Sequence, residues 1–521
     1  MSAAGLPRIF VNIASYRDRE CQWTLGDLFD KASHPDRVFP GICWQFIPEE
    51  DEDCFLIRPR PDQCRVIEVD ARSSQGACWA RHQAQSLWRG EEYTLQIDSH
   101  MRFVEGWDDK LLAMLKLCPS ERPVLSSYPP AFTPPDRIDS HVVSTIHPAS
   151  FDGEGILKLG STAVAPGDAP PVPARNPFCA AGLIFADSRI NLDIPYDPHL
   201  YFLGEEITLA VRLWTHGWDI FAPNDVIAYH DYNNHPGRRR HWNDRDRWWE
   251  LNNRSLKRVR HLLGTEASDD PEVLQGLDRY GLGACRSLAG FEAFSGVDFA
   301  RRLIGGRTTA EIEAAAPPEE RRRRNAEVFG QIWQANGWGD AETRSGSGST
   351  VAATAAIRAR LAELFRSVGV RSLADAGCGD MNWMNLLSDS LELYLGLDVV
   401  DDLLQDLRTR YGRRRGHFFA NLDITLDDLP RCHAILCRDV LTHLPDYAVK
   451  AALRRFKDSG SRLLIATTHP RGTNDPVELG AWQPIDLNAP PYNLPLPQVL
   501  LPEGDSAKSL GIWQLAELPD F

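Results

Sequence analysis

The sequence predicts an α/β protein made of two layered α/β domains with a helical stretch between them. Three observations carry this reading. Short apolar, strand-like runs alternate with helix-like runs up to about residue 232, and again from about residue 370. Between them, residues 240–330 turn helical and arginine-rich, with "RRRR" at 321–324, a charge run that reads as a solvated helix face. A chain of 521 residues also exceeds what one core of ordinary size organises.

Taken in order, "RIFVNIASYRD" predicts a first strand, followed by a helix to about residue 33. "VFPGICWQFI" and "CRVIEVDA" predict two further strands, and "ACWARHQAQSLWRG" a helix. In "YTLQIDSHMRF", residues 93–103, Tyr93, Leu95 and Ile97 alternate along a strand until Asp98, Ser99 and His100 interrupt it. Residues 128–178 are proline-rich ("YPPAFTPP", "APGDAPPVPARNP") and predict a long surface loop near a binding site, because strand-like "AAGLIFA" resumes after it. "ETRSGSGST" at 342–350 passes for a flexible linker on composition alone. Beyond it, "VRSLADAGCGD", "LYLGLDVV", "HFFANLDIT" and "HAILCRDVLTHLP" supply the strands of a second α/β unit. No internal repeat links the halves.

Composition narrows the function. Apolar residues at 43% and charged residues at 25% are ordinary for a globular protein. A formal charge of -15 argues against a general nucleic-acid binder, while leaving room for anionic small substrates held by a metal or a few arginines. The 11 cysteines are scattered, without a CxxC pair, which points to a reducing compartment. "MSAAGLPRIF" lacks a basic-then-apolar signal, and no run of 18 apolar residues follows, so the expectation is a cytoplasmic protein with no membrane span. Nothing in the sequence bears on oligomeric state.

An acid and a histidine at i and i+2 on an extended chain point the same way, so Asp98 and His100 can share one divalent metal. They follow a strand end, where α/β sheets bind ligands. A bare D-x-H equally fits two solvated groups. The difference lies downstream, in "YFLGEEITLAVRLWTHGWDIFAPNDVIAYHDY", residues 201–232. There Glu205 and Glu206 follow a glycine, a helix carries Arg212 and Trp214, and a returning strand ends at His230. This assembly resembles the GT-A glycosyltransferases. The nearer likeness is to the GlcNAc-transferase family that includes the cytoplasmic hydroxyproline GlcNAc-transferase of eukaryotic microbes; it extends over "VNIASYRD", "ACWARHQAQSLWRGEEYTLQIDSHMRF", "GWDDKLL" and "GEEITLAVRLWTHGWD", about residues 7–262. A more distant likeness is to the polypeptide GalNAc-transferases, with Asp-x-His, Gly-Glu, Arg-x-Trp and a final His.

The resemblance implies a GT-A nucleotide-sugar-binding fold over residues 1–262. It implies a UDP-sugar donor such as UDP-GlcNAc, and Mn2+ (or Mg2+) held by Asp98, His100 and His230. Anomeric retention without a covalent intermediate is implied as well. It suggests Ser15, Arg17 and Arg81 at the nucleotide, with Asp70 a further nucleotide candidate at a strand end. Glu205, or its neighbour Glu206, would orient acceptor or donor sugar.

In the second half, "SLADAGCGDMNWM" puts Asp375, Gly377 and Gly379 at a strand end entering a helix, where glycines let a ligand approach the backbone. Asp398 ends the next strand, placed to accept ribose hydroxyls. Asp423 follows in "HFFANLDIT", and Cys437, Arg438, Asp439 and His443 in the fourth strand region. This order resembles class I S-adenosylmethionine methyltransferases. The closer likeness is to a bacterial methyltransferase group often found beside glycosyltransferases, and it covers "VFGQIWQANGWGDAETRSGSGST", "CGDMNWM", "CRDVLTHLP", "TTHP", "GAWQPIDL" and "KSLGIW", nearly all of residues 325–515. It implies a Rossmann-like class I methyltransferase fold over residues 325–521, leaving 263–324 as a helical connector, and it turns "SGSGS" from linker into a segment folded over the cofactor. Asp375, Gly377 and Gly379 would face the methionine part of S-adenosylmethionine, Asp398 the ribose and Asp423 the adenine. Arg438 and Asp439 would lie where cofactor and acceptor meet. Methylation of a hydroxyl needs a base, for which His443 and His469 are the candidates.

The expected function is thus bifunctional: glycosyl transfer to a hydroxyl acceptor, and O-methylation of the transferred sugar or the same acceptor. A methyltransferase acting on an unrelated metabolite, and one half serving only as a binding module, are the alternatives. Peptide or protein hydroxyl, hydroxyproline and glycan hydroxyl all stay open as acceptors.

Overall fold

The computed structural model describes all residues except 1–4, 56–58, 233–237, 243, 476 and 504–506. The chain forms two compact units, Met1–Thr309 and Ala310–Phe521. The expected α/β class is present in both. Residues 263–324 are divided between the units rather than forming a piece of their own, and packing explains the division. Phe291, Val297 and Phe299 bury themselves with Phe178 and Trp218 in the first unit's core. Glu313 pairs with Arg324 and accepts from Tyr447 in the second.

In the first unit, apart from four two-residue strands at 132–133, 137–138, 297–298 and 303–304, the strands are β1 (Ile9–Tyr16), β2 (Val38–Phe46), β3 (Arg65–Asp70), β4 (Tyr93–Asp98), β5 (Met101–Phe103), β6 (Pro123–Ser126), β7 (Val143–Phe151), β8 (Leu157–Val164), β9 (Ala174–Arg175), β10 (Leu183–Asp187), β11 (Asp219–Ala222) and β12 (Ala228–His230). Eight of them form one mixed sheet in the order β9-β11-β6-β10-β4-β1-β2-β3. β1 reads as an almost continuous apolar run because both its faces are covered, whereas β3 at the sheet edge alternates between half-buried and exposed positions. β1 and β4 are parallel, with Ala14 opposite Asp98, so both deliver their carboxyl ends to the same edge. β10 runs antiparallel to β4, with Leu183 opposite Ile97.

The helices that position the site are α1 (Glu20–Asp30), α2 (Ala77–Gln85) and α4 (Glu205–Thr215), with α3 (Trp107–Leu117) and α5 (Trp248–Leu262) completing the layers. α2 turns Cys78, Ala80, Arg81 and Ala84 inward, a face of helical spacing that carries one guanidinium into the interior. The proline-rich stretch 128–178 is more ordered than a loop: β7 and β8 pair as an antiparallel ribbon within it.

In the second unit, β13 (Ser372–Ala376), β14 (Leu393–Asp398), β15 (His417–Asn421), β16 (Ala434–Cys437), β17 (Leu463–Thr468), β18 (Val499–Pro502) and β19 (Ser509–Gln514) form one sheet, ordered β15-β14-β13-β16-β17-β19-β18. All neighbours are parallel except β19, which runs antiparallel to both β17 and β18. The order reverses between β13 and β16, the switch point at which such sheets open a crevice for ligands. α6 (Pro318–Ala335), α7 (Ala355–Val368), α8 (Asp401–Tyr411) and α9 (Asp446–Asp458) accompany it. The "RRRR" run lies on α6, largely exposed, with Arg322 paired to Asp427. All 11 cysteines are free thiols. Among the described residues no helix is long and apolar enough to cross a membrane.

Candidate active sites

The first site is assembled by strand register. β4 ends at Asp98, the chain turns through Ser99 and His100, and β5 begins at Met101. Thr24 on α1 fixes this turn, its hydroxyl donating to the Ser99 carbonyl at 2.8 Å and accepting from the Met101 N–H at 2.8 Å. β12 pairs antiparallel with β5 and sets His230 opposite Met101, while the Asp231 N–H donates to the His100 carbonyl at 3.1 Å. The two imidazoles therefore stand 4.7 Å apart, and His230 Nε2 lies 3.1 Å from Asp98 Oδ2.

One carboxylate oxygen and two imidazole nitrogens, all within 4.8 Å of one another, suit a divalent first-row metal. Further observations fit that assignment. His100 Nδ1 donates to Asp18 Oδ2 at 2.8 Å, so the carboxylate fixes the ring and leaves Nε2 as the ligand atom. His230 Nδ1 is buried without a hydrogen-bond partner. Gly182 stands so close that a Cβ there would lie 2.9 Å from Asp98 Oδ2. Asp18 itself, which also accepts from Ser99 Oγ at 2.6 Å, was not singled out in the sequence; its signal was an acid at the end of the neighbouring parallel strand.

Arg81 compensates the acids. Its Nη2 donates to Asp98 Oδ1 at 2.6 Å, and its Nη1 to Glu205 and, at 3.2 Å, to the Tyr196 hydroxyl. Burial alone would raise the Asp98 carboxyl, but the Arg81 charge and the His230 hydrogen bond hold it well below the usual carboxylate range. Glu205 and Glu206 open α4 after Gly204. Glu206 accepts from the Tyr128 hydroxyl at 2.6 Å and from the Ala181 N–H at 2.7 Å, and burial pushes its carboxyl up to about 7.

Arg81, Asp98, Glu205, Glu206 and His230 line one cavity of about 330 Å³, closed in part by Leu157–Leu159 of the ribbon and by Phe202 and Tyr232. Three expected nucleotide contacts do not line it. The Ser15 side chain is wholly buried in the sheet. The Arg17 guanidinium is committed to Asp51, Glu50 and Asp244. Asp70 sits at the end of the edge strand β3 and pairs with Arg72.

All nine expected residues of the second site come together around a cavity of about 370 Å³: Asp375, Gly377, Gly379, Asp398, Asp423, Arg438, Asp439, His443 and His469. Gly377 has φ +79°, and a Cβ there would lie 2.3 Å from Val440, so the turn after β13 requires glycine. Asp398 Oδ1 accepts from the Val399 and Val400 N–H groups at 2.8 and 3.1 Å, and Oδ2 from the Gly379 N–H at 3.3 Å. Asp423 is taken up by Asn325, at 2.7 Å, and by the Thr425 N–H at 2.8 Å. Burial, with the Asp398 charge nearby, pushes Asp375 up to about 7, against the Tyr394 hydroxyl that donates to it at 2.6 Å. The "SGSGS" segment is no free linker. Asp380 accepts from the Thr343 hydroxyl at 2.8 Å, the Arg344 N–H at 3.0 Å and Ser345 Oγ at 3.1 Å, and residues 345–349 line the cavity.

The two histidines differ in tautomer. The Ala481 carbonyl, 2.9 Å from His443 Nδ1, can only accept, so Nδ1 carries the proton and Nε2 keeps its lone pair. The Ile485 N–H, 3.3 Å from His469 Nδ1, can only donate, so in His469 the proton sits on Nε2. Burial lowers both pKa values, favouring the neutral rings. Arg438 and Asp439 are paired with each other and with Glu503 and Lys508. Lys508, Trp338 and Trp482 are cavity residues that sequence reasoning did not assign, although both indoles lie inside quoted motifs.

The first unit is thus an α/β sheet with a candidate acid–imidazole metal site at its strand ends, and the second a doubly wound sheet with a glycine turn at its switch point. A family model described as "Glycosyltransferase (GlcNAc)" matches residues 8–60 and 57–301, more than half of the chain, and the chain belongs to that family. No curated protein matches the sequence. Among solved structures, GalNAc-T7 with UDP, GalNAc and Mn2+ is similar at 13% identity and a TM-score of 0.40, over 56% of this chain and 57% of that one. Magnesium protoporphyrin IX methyltransferase from Synechocystis PCC 6803 with bound SAM is similar at 16% identity and a TM-score of 0.28, over 38% of this chain and 97% of that one. The methyltransferase domain of bacterial CtHen1-C is similar at 20% identity and a TM-score of 0.21, over 22% of this chain and 66% of that one.

Removing the charge behind His100 tests the metal site: Asp18→Asn is expected to weaken Mn2+ binding by about 10- to 100-fold in a calorimetric titration, and unchanged affinity would count against the assignment. Glu206 makes a pH prediction. Its folded pKa, about 7, lies above the ordinary 4.5, so its contribution to stability is complete at low pH and is lost as pH rises toward 7. In urea melts, Glu206→Gln should gain on the wild type by about 2–3 kcal/mol between about pH 5 and pH 8; a difference independent of pH would contradict this.

Proposed function

We propose that this chain is a bifunctional transferase. The first unit moves GlcNAc from UDP-GlcNAc to a hydroxyl acceptor, with retention and with manganese or magnesium as the metal. The second O-methylates the transferred sugar, or the same acceptor, using S-adenosylmethionine. The observation that carries the reading is the convergence of Asp98, His100 and His230 at the ends of separate strands, within the segment that belongs to the glycosyltransferase (GlcNAc) family.

Asp98, His100 and His230 would hold the metal. When bound, it supplies positive charge against a diphosphate leaving group. Asp18 orients His100, and Arg81 keeps Asp98 ionised while tying it to the start of α4. Glu205 is committed to Arg81 and Tyr196, and Glu206 changes protonation near neutral pH. In the second unit the glycine turn and Asp398 would hold the cofactor. S-adenosylmethionine, when bound, supplies a methyl on a sulfonium that leaves as a neutral thioether. His443 takes the acceptor's hydroxyl proton at Nε2 and passes it to solvent. His469, protonated on Nε2, donates instead of accepting. Fusion of the two units raises the local concentration of the glycosylated intermediate.

Calorimetry on the full chain separates the parts. Mn2+-dependent binding of UDP-GlcNAc should disappear in His230→Ala while S-adenosylmethionine binding persists, and Gly377→Ala should show the reverse. Mass spectrometry of acceptor incubated with both donors should then show a sugar addition followed by a methyl. Equal methylation of acceptor that carries no sugar would contradict the coupling.

A further inference from the structure

The cavity of the second unit has two tryptophans in its lining to which the proposed mechanism gives no role. Trp338, from the segment after α6, stands beside His443 with ring centroids 5.1 Å apart. Trp482, from the segment after β17, meets His469 edge-on at 6.1 Å. Both indoles line the cavity. Trp482 is 58% exposed, the most exposed tryptophan among the described residues. Its loop is nevertheless pinned to the catalytic segment. The Gly480 N–H donates to the His443 carbonyl at 2.9 Å, and the Gln483 N–H to the Thr442 carbonyl at 3.0 Å; the Ala481 carbonyl accepts from His443 Nδ1. A large aromatic side chain kept wet on a fixed loop at a cavity mouth marks a binding surface, because in the core it would gain more by burial.

Charge and hydrogen-bonding capacity narrow the occupant. Arg438 and Lys508 are both paired with Asp439 and Glu503, so neither cation is left unmatched to draw an anion. His443 offers an acceptor nitrogen and His469 a donor N–H, a complementary pair for hydroxyl groups.

We propose that Trp338 and Trp482 form the methyl-acceptor subsite, and that it takes a neutral pyranose ring whose apolar face packs on the indoles while its hydroxyls meet His443 and His469. This rests on the methyl-transfer reading of the second unit. A phenolic ring shares the flat apolar face and hydroxyl edge; the sugar is favoured because the first unit belongs to a glycosyltransferase family.

The test uses the full chain saturated with S-adenosylhomocysteine and three probes followed by ligand-observed NMR: methyl N-acetylglucosaminide, phenol and methyl glucuronide. The glucosaminide should bind, Trp482→Ala should weaken it by about tenfold, and Trp482→Phe should restore most of the loss. Trp338→Ala should weaken it as well. S-adenosylhomocysteine affinity, measured by calorimetry on the same samples, should stay within about twofold of the wild type in every variant. Glucosaminide binding that survives both alanine variants, or its absence with the cofactor product bound, overturns the subsite and leaves methyl transfer standing. Preference for phenol overturns the sugar assignment, and preference for the glucuronide overturns the neutral charge assigned to the ring. Failure of the wild type to bind S-adenosylhomocysteine overturns the methyl-transfer reading, and the subsite falls with it.

Discussion

The buried guanidinium of Arg81, held between the carboxylates of Asp98 and Glu205, is the interaction on which the first site depends. It lies on the inward face of α2, buried except where it borders the cavity, so its charge must be met largely inside. Asp98 comes from the end of β4 and Glu205 from the first turn of α4, and the pairing ties a strand end to a helix start. Removing one partner would leave an uncompensated buried charge, a loss on the order of 3–5 kcal/mol. The same pairing keeps Asp98 ionised in spite of its burial, the state a metal ligand needs. Asp98, Glu205 and Asp18 together outnumber Arg81 in this immediate set, which leaves room for a divalent cation.

The second unit meets a different constraint, that of bringing backbone close to a ligand. Gly377 lets the chain turn tightly against Val440, and Asp380 then gathers Thr343, Arg344 and Ser345 over the turn. Polar groups from the unit's first loop are thereby satisfied internally while its backbone faces the cavity. Fixed tautomers complete the arrangement, since two similar histidines become one acceptor and one donor through the single backbone group that each Nδ1 meets.

Much of this was legible in the sequence, for identifiable reasons. Asp98 and His100 were visible as an acid and a histidine two apart at the end of a strand-like run, although β4 stops at Asp98 and it is the turn after it, not strand alternation, that presents His100. His230 was visible only through its place at the end of a later strand; the β5–β12 register that brings it within reach is a tertiary fact. The residues of the second cavity were legible because most stand at or near a strand end or glycine turn and fall within motifs of a methyltransferase likeness; His443 lies farther on, in the helical turn beyond β16. Asp18 escaped notice because its role is to hold another side chain. Ser15 and Arg17 were placed at the nucleotide by resemblance and Asp70 by its strand end, and neither source carries the burial of Ser15 or the ion pairs of Arg17 and Asp70. The ribbon β7–β8 was hidden by the prolines around it, and the division of residues 263–324 followed from long-range burial of Phe291 and Phe299 that no local pattern reveals.

The central claim is that a carboxylate and two imidazoles, delivered by the β4–β5 turn and by β12, bind one divalent metal. Pulsed electron paramagnetic resonance of the full chain loaded with Mn2+ tests it most directly, because nitrogen couplings report imidazoles bound to the ion. Two imidazole nitrogens are expected in the wild type, and one in either His100→Ala or His230→Ala. A Mn2+ spectrum without nitrogen coupling, or one that neither substitution changes, would contradict the account.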